Sequence, residues 1–144
     1  MNSVLKSKNN KVFYWLTILY YFIDIYFTRW YSAPFLIALF HTKFRLDIIS
    51  ILGVLSIFHL VLIVAMLPAV FIYFKKHIQA AKLIAIYAIT AILFYGLICY
   101  GNIRGGGALE KDYIGYFMIA IAMTFFGFFI FSFAIRNLKI PPSA

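Results

Sequence analysis

Two ionisable side chains, Asp24 and His59, lie inside long apolar segments of this sequence. Histidine titrates near neutral pH, and a carboxylate beside it in a buried setting changes that titration. If the two segments form consecutive antiparallel helices, these side chains meet at similar depth and could share a proton or a hydrogen bond. The alternative is structural, with each residue bonded to a nearby hydroxyl or backbone carbonyl. The hydroxyl residues at helical spacing from Asp24 are Tyr20, Tyr21 and Thr28.

The elements that must position this pair are long apolar runs. A helix of about 20 apolar residues is enough to cross a bilayer. The sequence contains four runs of about this length or more: Val12–Trp30, Ile48–Phe74, Leu83–Ile103 and Tyr113–Ile135. We therefore predict an all-α transmembrane fold, a four-span helical bundle that forms one integral membrane domain over residues 1–144. The predicted spans are approximately 12–30, 47–74, 80–102 and 112–136.

Composition points to the same class of protein. The chain is 65% hydrophobic and 12% charged, whereas soluble domains carry roughly 25% charged residues. Four spans and short connections account for the 144 residues and leave no room among them for a soluble catalytic domain. The net charge of +9 comes from basic residues near the ends of apolar runs, where they meet lipid phosphates. We therefore expect the lipid bilayer as a partner and no nucleic acid.

The distribution of Lys and Arg predicts the orientation. With a cytoplasmic N-terminus and four spans, eight of these 13 residues lie on the cytoplasmic side and five on the other. Cytoplasmic connections carry the excess of Lys and Arg. Both termini are therefore predicted to be cytoplasmic, in a multi-pass protein of the bacterial inner (plasma) membrane.

The residues after the first span are apolar but too few to cross. Residues 34–41 begin with a proline and number only eight, so we predict a short interfacial helix here. The alternative is one long tilted helix that bends near Pro34. The polar residues that follow, His41, Lys43 and Arg45, are predicted to contact lipid headgroups.

Small side chains recur at helical spacing in the last two spans. Such faces let helices approach closely in lipid, where packing rather than exclusion of water drives association. The residues are Ala81, Ala85 and Ala88 in the third span, and Ala120, Thr124 and Gly127 in the fourth. We predict that these two spans pack antiparallel through their small faces.

No set of residues with catalytic or ligand spacing stands out. The single cysteine, Cys99, cannot form a disulfide within the chain. No cluster of Cys, His and carboxylate residues has the spacing of a metal site. The triple glycine at 105–107 lacks the lysine and the strand–helix context of a phosphate-binding loop. We expect no enzyme, no metal and no cofactor.

Three functions fit these features. We favour a non-enzymatic accessory or assembly subunit of a larger membrane complex, which contacts other membrane protein subunits or further copies of itself. The first alternative is a small proton- or cation-coupled transporter or channel that acts as a homo-oligomer through Asp24 and His59. The second is an immunity protein that binds a membrane-active toxin.

Overall fold

The computed structural model describes residues 2–41, 48–72, 77–104 and 111–138, and each of these four segments is an α-helix. The helices are α1 (Asn2–His41), α2 (Ile48–Ile72), α3 (His77–Arg104) and α4 (Lys111–Leu138). Side chains are described for residues 11–30, 32–33, 51–68, 78–104 and 114–138. No strand occurs within the described ranges, and the predicted all-α class is confirmed for them.

Three of the described helices are long and apolar enough to cross a membrane. The qualifying segments are Ile51–Pro68 in α2, Ile78–Arg104 in α3 and Ile114–Leu138 in α4. These segments identify a membrane protein. Helix α1 is longer but does not qualify, because residues 12–30 include four tyrosines, two threonines, Asp24 and Arg29.

Helix α1 continues through Pro34 to His41, so residues 34–41 do not form a separate helix. This corresponds to the long-helix alternative and corrects the prediction of a distinct short element. Proline at position 34 has no N–H to donate to the Trp30 carbonyl. In the preceding turn, Ser32 Oγ donates a hydrogen bond to the Thr28 carbonyl at 2.6 Å. Among the predicted headgroup contacts, His41 ends α1, and Lys43 and Arg45 lie outside the described residues.

Contacts between side chains define the relative directions of the helices. Residue numbers run in opposite directions across the α1–α2 and α1–α4 contacts, and in the same direction across α1–α3. Between α1 and α2 the contacts are Tyr21–Ile63 and Asp24–His59. Between α1 and α4 they are Phe13–Phe133 and Tyr20–Phe126. Between α1 and α3 they are Tyr20–Tyr87 and Thr28–Tyr95. The bundle therefore alternates up, down, up and down, and helices that follow one another in the chain are antiparallel.

The four helices do not pack equally closely. Contact is most extensive between α3 and α4, intermediate for α1–α2 and α2–α3, and much smaller between α1 and α4. The largest fully buried side chains are mainly aromatic and come from α1 and α3: Tyr20, Tyr87, Tyr95, Phe13 and Phe94. The outward surface also carries large apolar side chains, which include Trp15, Phe22, Phe58 and Phe125. The bundle thus encloses a tyrosine-rich interior between α1, α2 and α3.

Candidate functional site

Asp24 lies at the centre of this interior with 0% of its surface exposed. Its carboxylate accepts hydrogen bonds from its own helix and from α3. Tyr95 donates to Oδ1 at 2.6 Å, and Thr28 Oγ1 donates to the same oxygen at 2.9 Å. The Tyr87 hydroxyl donates to the other oxygen, Oδ2. Both carboxylate oxygens are therefore bound by donors of this chain.

His59 completes the cluster from α2. Its Nε2 lies 2.9 Å from Asp24 Oδ2 and 3.1 Å from Oδ1, and its side chain is fully buried. An N–H at this nitrogen can be shared between the two oxygens. The structure thus brings together the two ionisable residues that the sequence singled out. We call the five residues Asp24, Thr28, His59, Tyr87 and Tyr95 the Asp24 cluster.

Two of the hydroxyls that stand near Asp24 in the sequence serve other contacts. The Tyr21 hydroxyl donates to the Ile63 carbonyl of α2 at 2.8 Å. The Tyr20 hydroxyl donates to the Met123 carbonyl of α4 at 3.3 Å. These bonds connect α1 to its two neighbouring helices, and only Thr28 of the three expected hydroxyl residues binds the carboxylate.

Tyr87 and Tyr95 are the members of the cluster that sequence reasoning missed. They lie eight residues apart on α3, about two turns of helix. Their spacing within an apolar helix could have indicated a shared polar contact, because residues i and i+8 belong to one broad helical face. The spacing does not identify Asp24 as the acceptor, because Asp24 lies 63 residues from Tyr87 and 71 residues from Tyr95 in the chain.

Aromatic packing fixes the orientation of the His59 ring. The ring stacks on Tyr87 with centroids 5.6 Å apart and on Phe94 at 5.2 Å. Tyr95 meets it edge-on at 6.3 Å. These contacts hold the plane of the ring, and Nε2 is the nitrogen directed at Asp24. The other ring nitrogen, Nδ1, has no hydrogen-bond partner in the described part of the chain.

The geometry limits what the Asp24 cluster can do chemically. A buried carboxylate is costly unless it is paired and hydrogen-bonded, and the hydrogen bonds from α1 and α3 offset that cost. Asp24, His59, Tyr87 and Tyr95 have no exposed surface, and Thr28 has 1%. The arrangement can hold a proton between carboxylate and imidazole and can connect three helices. It offers no group at the surface to a substrate.

The residues of the predicted small faces on α3 and α4 lie largely in the interior of the bundle. Ala81, Ala85, Ala88, Ala120 and Gly127 are buried, and Thr124 is half-buried. A Cβ added to Gly127 would lie 2.9 Å from Ile92 Cγ1 and 3.1 Å from the Tyr20 hydroxyl oxygen. It would also lie 3.8 Å from the Ala88 carbonyl oxygen. Gly127 of α4 therefore lies against Ile92 and Ala88 of α3 and Tyr20 of α1, and the close approach of the Ile92 and Tyr20 side chains favours glycine at this position.

Metal ligands do not cluster in the part of the chain that the structure describes. No group of three or more His, Cys, Asp or Glu residues occurs there, and Cys99 is a free cysteine. Comparison with protein families, curated proteins and solved structures found no match to this chain. The function must therefore be argued from the residues themselves.

Proposed function

We propose that α1 is a fourth membrane span. Its Asp24 contacts His59, which lies at the midpoint of the apolar segment Ile51–Pro68. It also accepts a hydrogen bond from Tyr87, within the middle third of Ile78–Arg104. Helix α1 thus contacts two candidate membrane-spanning helices near their centres and runs alongside them. A helix in this position spans the membrane beside them. With four alternating spans both termini lie on one side, and the excess of Lys and Arg favours the cytoplasm.

The position of Asp24 near the centres of two candidate spans also supports an interfacial position for residues 34–41. Pro34 is ten residues beyond Asp24, which corresponds to about 15 Å of helix. This distance is about half of a 30 Å hydrocarbon core. The last part of α1, which ends at His41, would then run at the level of the headgroups of the non-cytoplasmic leaflet. Basic residues such as Lys43 and Arg45, which follow in the sequence, suit contact with lipid phosphates there.

Within that topology, we propose a non-enzymatic accessory or assembly subunit of a larger membrane complex. The observation that carries this proposal is the closure of the Asp24 cluster. Its buried carboxylate is bound by donors from three helices of the same chain, and the cluster is sealed from the surface. Its polar groups therefore stabilise this bundle, and the outward surface remains for lipid and for other proteins.

The short connections indicate where a partner would bind. Consecutive helices are separated by six, four and six residues. Since so little of the chain lies between the helices, an extensive contact with another protein must use the membrane-facing sides of the bundle. Those sides carry large exposed side chains, which include Phe22 on α1, Phe58 on α2 and Phe125 on α4.

Photocrosslinking in the native membrane tests this proposal. A photoreactive phenylalanine analogue replaces Phe22, Phe58 or Phe125, which are 64%, 62% and 71% exposed and lie on three helices. A subunit of a complex should give a discrete protein adduct from one of these faces and lipid adducts from the others. The same analogue at buried Phe94 serves as the intramolecular control. Lipid adducts alone at all three exposed positions would contradict the assembly role.

One observation favours proton-coupled transport by a homo-oligomer as a second candidate. The Asp24–His59 pair lies at mid-depth with a separation of 2.9 Å, and His59 Nδ1 remains without a partner among the described residues. Intramembrane ionisable pairs of this kind occur in proton relays. Purified protein in liposomes should then show a pH-driven flux that Asp24→Asn abolishes. The absence of flux, or flux that survives this substitution, would exclude the candidate.

A further inference from the structure

Two buried polar atoms of α2, one helical turn apart, lack hydrogen-bond partners among the described residues. Ser56 and His59 have 0% exposed surface. Neither Ser56 Oγ nor His59 Nδ1 has a hydrogen-bond partner in the described part of the chain. Residues at i and i+3 are neighbours on a helix, with Cβ atoms about 5–6 Å apart. The two unsatisfied atoms therefore belong to one side of α2.

Ser56 differs from the other serine and threonine residues whose side chains the structure describes. Those residues donate to a carbonyl four residues earlier in their own helix or, in the case of Thr28, to Asp24. The residues that bond a carbonyl in this way are Thr17, Ser32, Thr90, Thr124 and Ser132. An unsatisfied buried hydroxyl or ring nitrogen costs about 1–3 kcal/mol. A bound molecule that satisfies both atoms would remove this cost.

The polar groups of α1 and α3 that lie near His59 already have other hydrogen-bond partners. On the α1 side, His59 faces Asp24, whose oxygens contact Nε2. On the α3 side it faces Tyr87 and Tyr95, and both of these hydroxyls donate to Asp24. Nδ1 and Ser56 Oγ therefore need a molecule that can donate to the nitrogen and also bond the hydroxyl.

We infer that Ser56 Oγ and His59 Nδ1 form a binding site for one buried water molecule, through which the Asp24 cluster exchanges protons. Two hydrogen bonds of about 2.8 Å that meet at the tetrahedral angle of a water oxygen span about 4.6 Å, a separation that side chains one turn apart can reach. Water is both donor and acceptor, so it fits a ring nitrogen and a hydroxyl together. This site goes beyond an assembly role and does not depend on it.

The proton step at this site balances without any further reactant. A hydronium ion at the site loses a proton to Nδ1: one O–H bond breaks, one N–H bond forms, and water remains. The imidazolium then holds Asp24 through Nε2–H, and the reverse step returns the proton. Because Nε2 is turned to Asp24, Nδ1 is the nitrogen through which the ring can gain or lose a proton.

The test is nuclear magnetic resonance of the full chain in lipid nanodiscs with 15N-labelled histidine. The chain has three histidines, and His59→Gln assigns the His59 signals by their loss. Magnetisation transferred from water should reach His59 Nδ1 in the unchanged protein. Ser56→Ala should abolish that transfer. Ser132→Ala should preserve it, because this exposed serine already donates to the Phe128 carbonyl at 2.9 Å.

The outcomes separate this site from the assembly role. Absence of transfer to Nδ1 in the unchanged protein, or transfer that persists in Ser56→Ala, overturns the water site. Neither result affects the photocrosslinking outcome on which the assembly proposal depends. Unchanged signals from the other two histidines show that Ser56→Ala retains the fold, so a loss confined to His59 supports the site.

Discussion

The two halves of the bundle hold their helices together in different ways. Around Asp24, helices α1, α2 and α3 are joined by hydrogen bonds from long side chains. Around Gly127, helices α3 and α4 approach closely across small residues, and their contact is the most extensive in the bundle. Lipid is as apolar as leucine, so burial of apolar surface does not drive either contact. Hydrogen bonding and close packing are the two interactions that remain to hold the helices together.

The difference shows how a polar helix is held within the bundle. Helix α1 has little contact with α4, yet it carries the buried acid. Tyrosines on α3 and a histidine on α2 have the length to reach that acid across the interior. Where residues are small, the backbones themselves come together and no polar anchor is needed. Substitutions in the two regions should therefore lower the free energy of unfolding for different reasons and by different amounts.

The largest effect is expected from Asp24→Leu. This change keeps a side chain of similar size but leaves His59, Tyr87 and Tyr95 without their acceptor. Breaking a buried pair by removing one partner costs about 3–5 kcal/mol, and the free energy of unfolding should fall by about that amount. Denaturing-detergent titration in bicelles measures it. Tyr26→Leu, at an exposed position of α1, is the control, and an equal loss in both variants would contradict a cluster that stabilises the bundle.

A smaller loss is expected from Gly127→Ala in the close-packed region. The added methyl would meet Ile92 Cγ1 at 2.9 Å, and such overpacking costs typically about 1–3 kcal/mol. The matched control is Gly115→Ala on the same helix, where a Cβ meets nothing within 4 Å. That variant should gain up to about 1 kcal/mol from helix propensity. Equal changes in the two variants would show that α3 and α4 are not closely packed at Gly127.

Coupling between Asp24 and His59 should be about 1 kcal/mol, in the range measured for hydrogen bonds between membrane helices. A double-mutant cycle with Asp24→Asn and His59→Gln measures it from the free energies of unfolding of four proteins. Because the two side chains are in contact at 2.9 Å, the double variant should lose less stability than the sum of the single variants. Strict additivity would mean that the pair does not interact.

The smallest effects are expected from Tyr87→Phe and Tyr95→Phe. Each change removes one donor and leaves the carboxylate with its other partners, so each should cost about 0.6 kcal/mol and at most about 1.7 kcal/mol. Tyr26→Phe, at an exposed position, should change stability less than either variant in the same unfolding experiment. If it costs as much as they do, the hydroxyl bonds to Asp24 contribute nothing measurable.

Much of the architecture follows from the sequence because a bilayer imposes simple requirements. Backbone groups in lipid must be satisfied within the helix, so long apolar runs predict helices. The small residues of the last two runs recur at the period of one helical face, which predicts the face that Ala88 and Gly127 share. An acid as costly as Asp24 predicts that protein rather than lipid surrounds it. Each of these inferences uses a local property of the chain.

The tertiary structure alone decided which groups meet. Tyr87 and Tyr95 bind Asp24 because α3 runs parallel to α1 across the interior, an arrangement that no local pattern contains. The continuity of α1 through Pro34 is likewise a result of the structure, since proline by itself favours either a bend or an end. The structure also shows that Nε2 of His59 faces the acid and that Nδ1 lacks a partner among the described residues. Local periodicity determines the helices and their faces, and long-range packing determines how Asp24, His59, Tyr87 and Tyr95 come together.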